Sequence, residues 1–493
     1  MSSKPHHGPS DSLYKGRKLD ARRNAGAQMS SHHPEAPSHR RFAARPVSLL
    51  PTEELAHRAL SSRLMRTAVG LARWCGPVTP VDVDGVPDLA DVRVAIEEFG
   101  LWPRALCRDR EQREIWTEQL DSVSQAEEFL ATWRTAQHLG MIECETGQAR
   151  PAPELEHWLG STGRILRWWT LAFHLCVDRA LRGTAGLEPH TALGRLYESP
   201  NGARIPLRLV TQEVLPARET HYLPSRCPAW STVLLTRALV QLADAGAVSM
   251  GWHDPWHDPW SDTSGAHGHR PGPAWVQLTD LGRFGIRQIL LAEEQSAPLT
   301  EEFIRLDADE FLDALADFSP DGQLVALTAW LDARAPQQAL REIVAASSGA
   351  GLALRRWNAT MALGTISSRI EPDLYALLHS ADPTVSSLAS AVLLASRMLS
   401  DAERARLTAE FGRWTAIDMF AAATCLGETG LKSFLVSEAA EGIDRFLLGD
   451  VTRLWQPEHP DTREVLRVLG RHHPDPSIAA RARAAEAHAP PRP

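Results

Sequence analysis

Two short stretches decide the fold: Ala245-Gly246-Ala247-Val248-Ser249-Met250-Gly251 and, after an interruption, Trp275-Val276-Gln277-Leu278-Thr279-Asp280-Leu281-Gly282-Arg283. Ser231 offers an N-cap to a helix that carries Leu235, Leu239, Val240 and Leu242, and Gly246 ends it. Val248 to Gly251 then reads as a strand and Trp275 to Thr279 as its returning partner, and Asp280 opens a further helix through Ile286, Ile289 and Leu290. The same order occurs earlier in the chain. Ser124, with Glu127 three residues on, has the form of a capping box for a helix through Phe129, Leu130 and Trp133 toward His138-Leu139-Gly140. Met141-Ile142-Glu143-Cys144-Glu145, a turn at Thr146-Gly147, and Ala149-Arg150-Pro151 follow it. A helix ending at glycine and leading into strand, turn and strand is the order of a winged-helix module, here present twice.

Outward from these modules, apolar residues at helical spacing predict a helix from Glu53 to Leu71, stopped by Gly76-Pro77, and a short amphipathic helix from Asp91 to Phe99. A Trp-rich helical stretch from Leu166 to Leu181 connects the two modules. From Leu299 onward strand signals vanish, and Ala- and Leu-rich helices of 10 to 15 residues alternate with short polar breaks. Asp382-Pro383-Thr384-Val385 and Asp475-Pro476-Ser477-Ile478 each place Asp at the cap and Pro in the first helical turn. The two copies lie 93 residues apart, about twice the ~40 to 47 residues of a HEAT-type helical pair. An α-solenoid and an ordinary helical bundle both fit that spacing. The expected fold class is mainly α: two winged-helix-like (α+β) modules followed by a HEAT-like helical region. The division is 1–47 as a basic tail, 48–160 as the first module, 161–200 as a helical connector, 201–297 as the second module with a long wing insertion, and 298–493 as the helical region.

The 493 residues are 43% apolar and 23% charged, with a formal net charge of -9, which excludes wholly disordered, collagen-like and disulfide-scaffold proteins. No apolar run is long enough to span a bilayer, and the first forty residues hold charge and proline rather than the apolar core of a secretory signal, so a cytoplasmic protein with no membrane partner is expected. Six cysteines without a CxxC pair fit reduced thiols. Residues 1–46 carry nine basic and three acidic side chains, so the rest of the chain is strongly acidic. This tail reads as a disordered extension, with a loose polyanion-binding arm and a start nearer Met29 as alternatives.

Leu71-Ala72-Arg73-Trp74-Cys75-Gly76, Leu278-Thr279-Asp280-Leu281-Gly282-Arg283 and Leu469-Gly470-Arg471-His472-His473-Pro474-Asp475-Pro476 resemble a family of uncharacterised proteins from high-GC bacteria. Only four of the 52 basic residues are lysine, which agrees with such a source. The resemblance covers most of residues 48 to 485. It implies the architecture described above and no activity.

Catalytic signatures are missing: there is no GxGxxG, P-loop, HExxH or GxSxG. A non-enzymatic protein that needs no cofactor and no metal is therefore expected. The tandem Trp252-His253-Asp254-Pro255-Trp256-His257-Asp258-Pro259-Trp260, followed by His267-Gly268-His269, holds metal-donor types, but its two prolines forbid the helix that would align His253 with His257. It reads as a duplication in a solvated wing loop whose Trp252, Trp256 and Trp260 are candidate anchors for a protein partner. Asp307-Ala308-Asp309-Glu310 lacks the glycine of a calcium loop and reads as an acidic first turn on a helix dipole. The tryptophans of the helical stretch, Trp158, Trp168 and Trp169, are expected in the core.

Nucleic acid poses a charge test, because affinity comes largely from neutralising phosphates. Residues 85–160 hold 15 acidic and 7 basic side chains, and residues 205–292 hold seven of each. Neither module has a cationic surplus, and the two helices that would dock offer only Arg134 and Arg237. The leading expectation is a non-catalytic protein-binding adaptor or regulator. The alternative is a winged-helix DNA-binding transcriptional regulator that uses Arg134 and Arg237.

Overall fold

Ser62 divides the first helical run. Its extended backbone ends α1 (Thr52–Ser61), and its hydroxyl accepts the Met65 N–H at 3.4 Å to cap α2 (Arg63–Trp74), so the stretch expected to be one helix is two. The computed structural model describes residues 44–103, 107, 109–182, 189–214, 228–251, 275–349, 351–396, 399–436 and 459–489, all within the compact unit Phe42–Pro493. Among the described residues the chain is mainly helical, with two small three-stranded sheets.

After α2 come β1 (Thr79–Pro80), α3 (Leu89–Phe99), α4 (Arg110–Glu118), α5 (Glu127–His138), β2 (Ile142–Glu145) and β3 (Gln148–Pro151). The strands pair antiparallel in the order β1-β3-β2, with Ile142 opposite Pro151 and Thr79 opposite Ala149. Next come α6 (Leu155–Leu159), α7 (Thr162–Arg182), α8 (Pro189–Glu198), β4 (Ile205–Pro206), α9 (Leu207–Val214), α10 (Pro228–Asp244), β5 (Val248–Gly251), β6 (Trp275–Leu278) and α11 (Asp280–Ala292). The second sheet has the matching order β4-β6-β5, with Val248 opposite Leu278 and Ile205 opposite Val276. Both hairpins lie where the sequence predicts them. The first strand of each sheet was not expected, since two residues carry no periodicity.

Two predicted caps are not used. Ser124 sits in a 3₁₀ turn, where its hydroxyl meets that of Ser122 at 2.8 Å, and α5 starts at Glu127 with no side-chain cap. Helix α10 starts at Pro228, which puts Ser231 inside it; proline is well suited to a first helical turn because its missing N–H needs no partner there.

Leu278 to Arg283 acts structurally. Thr279 caps α11 by accepting the Gly282 N–H at 3.0 Å. Gly282 lies so close to the Ala247 carbonyl that a Cβ would overlap it. Arg283, buried at 2% exposure, donates to the carbonyls of Tyr197, Ser199 and Pro200 at 3.0 to 3.2 Å and so fastens α11 to the segment leading into β4.

One hydrophobic core runs from Val47 to Ile286 and serves both sheets. Trp169 and Phe173 on α7 stack at 5.0 Å and Phe129 and Trp133 on α5 at 5.7 Å, geometries that add ~1 kcal/mol per pair beyond area burial. Two of the buried indoles find carbonyls: Trp133 donates to Gly85 and Trp169 to Ala245, at 2.9 and 2.8 Å. Trp168 and Trp169 are buried, as expected, and Trp158 packs against this core half-buried. The chain closes on itself where Val47 pairs in parallel with Leu299, its N–H reaching Pro298 and its carbonyl accepting from Thr300.

The remaining described helices are α12 (Thr300–Ile304), α13 (Ala308–Ala314), α14 (Pro320–Asp332), α15 (Pro336–Ser347), α16 (Ala353–Leu377), α17 (Pro383–Ala395), α18 (Asp401–Cys425), α19 (Gly427–Leu435), α20 (Thr462–His472) and α21 (Pro476–Glu486). Asp382 and Asp475 cap α17 and α21 as predicted, and Asp309 with Glu310 forms the acidic first turn of α13. Helices α16 and α18 reach 25 residues each, longer than the expected pieces. Successive helices pack on one another, α15 on α16, α16 on α17, α17 on α18 and α20 on α21. They enclose one core around Phe311 and Trp330 and another around Phe420, Leu466 and Ile478. No helix among the described residues is long and apolar enough to cross a membrane.

Candidate functional site

The helices that precede the two hairpins end in the same way. In α5 the N–H groups of Gly140 and Met141 bond to the carbonyls of Gln137 and Ala136, and after α10 those of Gly246 and Ala247 bond to Ala243 and Leu242. Gly140 (φ 67°) and Gly246 (φ 75°) both take the left-handed conformation that such an ending requires, which glycine adopts without strain. The next residue of each pair then accepts from the returning strand: Met141 O from Ala152, and Ala247 O from Thr279. The two modules therefore share one local construction, and α5 and α10 hold equivalent places in it.

Between these helices lies a half-enclosed cavity of about 320 Å³, walled by α2, α5, α7 and α10. At its rim Arg237 of α10 meets Glu127 of α5, Nη2 to Oε2, at 3.2 Å. Deeper in, Arg63 donates to the Gly100 carbonyl at 2.7 Å and faces Asp244 at 3.5 Å. Arg179, Glu128, Gln241, Thr67 and Thr132 complete the polar lining. The Gln241 Oε1 is buried with no hydrogen-bond partner. Cys176 lines the cavity and is buried, and burial pushes its thiol up to about 11, with Arg179 working against that shift and Asp244 and Glu128 adding to it. A thiol so poised is inert at neutral pH. Among the described residues no cluster of His, Cys, Asp and Glu is arranged to hold a metal ion.

The predicted DNA contacts are separated by this arrangement. Arg237 belongs to the cavity rim and is engaged by Glu127. Arg134 is exposed on α5 and does not line the cavity. The exposed N-terminal end of α5 presents Glu127 and Glu128. Trp252, Trp256 and Trp260, with the neighbouring histidines, lie outside the described residues.

A second polar cluster escaped the sequence reading. Arg356 on α16, itself 2% exposed, makes a bidentate pair with Asp418 on α18 at 2.7 and 2.8 Å. His459 reaches the same carboxylate with Nε2 at 2.9 Å, while its Nδ1 accepts the Asp461 N–H at 3.0 Å, which leaves the donating proton on Nε2. Burial acts to raise the Asp418 pKa, and the hydrogen bonds from His459 and Arg356, with the Arg356 charge, more than offset it, holding the carboxyl below its ordinary value. The cluster joins α16, α18 and the start of α20. The one signal in the sequence was the His459-Pro460-Asp461 and His473-Pro474-Asp475 repeat, in which both imidazoles accept the N–H two residues on.

Compared with protein families, curated proteins and solved structures, the chain matches none of them.

Proposed function

We propose that this protein is a non-catalytic, cytoplasmic adaptor or regulator that works by binding another protein, with two winged-helix-like modules over 48–160 and 201–297 and a HEAT-like helical region over 298–493. The matching strand orders, each with a helix leading through a left-handed glycine into a hairpin, support the modules. The stacked pairs α15/α16, α16/α17 and α17/α18 support the helical region as an extended surface.

The observation that carries the docking reading is the charge on the helix that would enter DNA. Its leading end bears Glu127 and Glu128, the adjoining hairpin bears Glu143 and Glu145 against Arg150, and the Arg237 of the second module is already paired with Glu127. A duplex would meet carboxylates where it needs cations. A protein with a basic face would meet its complement there. The alternative, a DNA-binding regulator, keeps the hairpin topology and the exposed Arg134 in its favour.

Fluorescence polarisation with mixed-sequence duplex, at two salt concentrations, distinguishes the two for the full chain and for a form without residues 1–43. We expect the shortened form to leave the duplex free. Salt-sensitive binding by the shortened form would overturn the adaptor reading. In parallel, crosslinking in its own cells with wild type and with Glu143→Lys/Glu145→Lys is expected to yield a partner held by the first and lost by the second.

A further inference from the structure

The cavity between α5 and α10 brings together three guanidinium groups, Arg63, Arg179 and Arg237, and three carboxylates, Glu127, Glu128 and Asp244. That balance selects against the simplest occupants. A bare anion such as phosphate would gain the arginines and be repelled by as many carboxylates, and a bare cation meets the reverse. A molecule carrying both signs satisfies both sets.

Two groups in the lining indicate where each sign would go. Arg63 and Arg237 are engaged by the protein itself, whereas Arg179 has no hydrogen-bond or ion-pair partner among the described residues. It is the cation open to an incoming carboxylate. The Gln241 Oε1 is a buried acceptor without a donor, a condition that costs free energy until an N–H arrives. Glu128 and Asp244, which line the same cavity, favour that donor being an ammonium. Leu64, Leu101 and Ala238 supply the apolar part of the wall. The volume, about 320 Å³, lies at the small end of the range for small-molecule sites.

We infer that this cavity binds a free amino acid with an apolar side chain, its carboxylate on Arg179, its ammonium toward Gln241 and the carboxylates, and its side chain against Leu64, Leu101 and Ala238. The inference goes beyond the docking role proposed above and does not depend on it, because a small molecule can fill the cavity whether or not a protein covers the carboxylates of the hairpin. Its placement gives the ligand a regulatory use. The walls include both helices that precede the hairpins, so occupancy would bias their separation.

Isothermal titration of the full chain with L-leucine, L-isoleucine, L-valine and L-methionine, each up to about 10 mM, tests the site. At least one should give a saturable one-to-one isotherm. The deaminated and decarboxylated analogues of that amino acid should each bind at least about tenfold more weakly, and Arg179→Ala should weaken the parent by a similar factor while Arg179→Lys largely restores it. Failure of all four amino acids to give a saturable isotherm would overturn the inference. Equal binding of the deaminated analogue, or unchanged binding by a folded Arg179→Ala, would do so as well. If that variant does not fold, the analogue series on the wild-type protein decides the matter alone.

Discussion

Arg237 and Glu127 are 110 positions apart in the chain and 3.2 Å apart in space, and their ion pair links the helices that precede the two hairpins. Both side chains are more than two-thirds exposed, so the pair stabilises the fold by at most about 1 kcal/mol. Its consequence is for recognition, because the one basic side chain that α10 offers is already occupied. Arg237→Ala and Arg134→Ala should each leave the melting temperature within about 1 °C of wild type, as exposed surface changes generally do. In the polarisation assay neither should alter duplex binding by the full chain, since any such binding resides in the tail. Loss of binding in either variant would move the contact to these helices.

Asp418→Asn should be strongly destabilising, because it leaves the Arg356 guanidinium buried beside a neutral amide. Breaking one partner of a buried pair costs about 3–5 kcal/mol. Replacing both, as Arg356→Met with Asp418→Leu, should recover much of that loss. Urea unfolding of the three proteins, followed by far-UV circular dichroism, gives the comparison directly.

The same carboxylate predicts a pH dependence. Its folded pKa lies below the unfolded value, so its stabilising contribution is fully present above an ordinary aspartate pKa of about 3.9 and is lost as pH falls through the folded value. Stability curves for wild type and Asp418→Asn should run parallel from pH 7 to about 5 and converge below about pH 4. Curves that stay parallel down to acid unfolding would show that the carboxyl has the same pKa in the folded and unfolded protein.

Gly282→Ala should disrupt the second hairpin. The added methyl would run into the Ala247 carbonyl, which is part of the backbone and accepts the Thr279 N–H, and into the Leu278 side chain. Overpacking of this kind costs about 1–3 kcal/mol, more where backbone must move. Gly194→Ala, at a position where a Cβ meets nothing within 4 Å, is the control and should melt with the wild type.

Thiol reactivity gives an independent check on the core. Burial pushes Cys75 and Cys176 up to about 11, whereas Cys144 is exposed on the first hairpin. Iodoacetamide at pH 7.5, read by peptide mass spectrometry, should therefore modify Cys144 well before Cys75 or Cys176. Early labelling of Cys176 would mean that the cavity wall opens readily.

The sequence by itself determined the elements whose cause is local. The glycines that end α5 and α10, the Asp-Pro starts of α17 and α21, and the short strand from Val248 to Gly251 act within a few residues of themselves, and each appears where it was read. The mainly helical class follows from them. What the tertiary structure decided depends on residues far apart in the chain. The two-residue strands β1 and β4 exist only because β3 and β6 supply their partners, and the break at Ser62 competes with an unbroken apolar periodicity. The cavity takes its charges from α2, α5, α7 and α10, and the Arg356, Asp418 and His459 cluster spans more than a hundred residues. A charged side chain looks alike in sequence whether it faces water or a distant counter-charge, and only packing brings the two together.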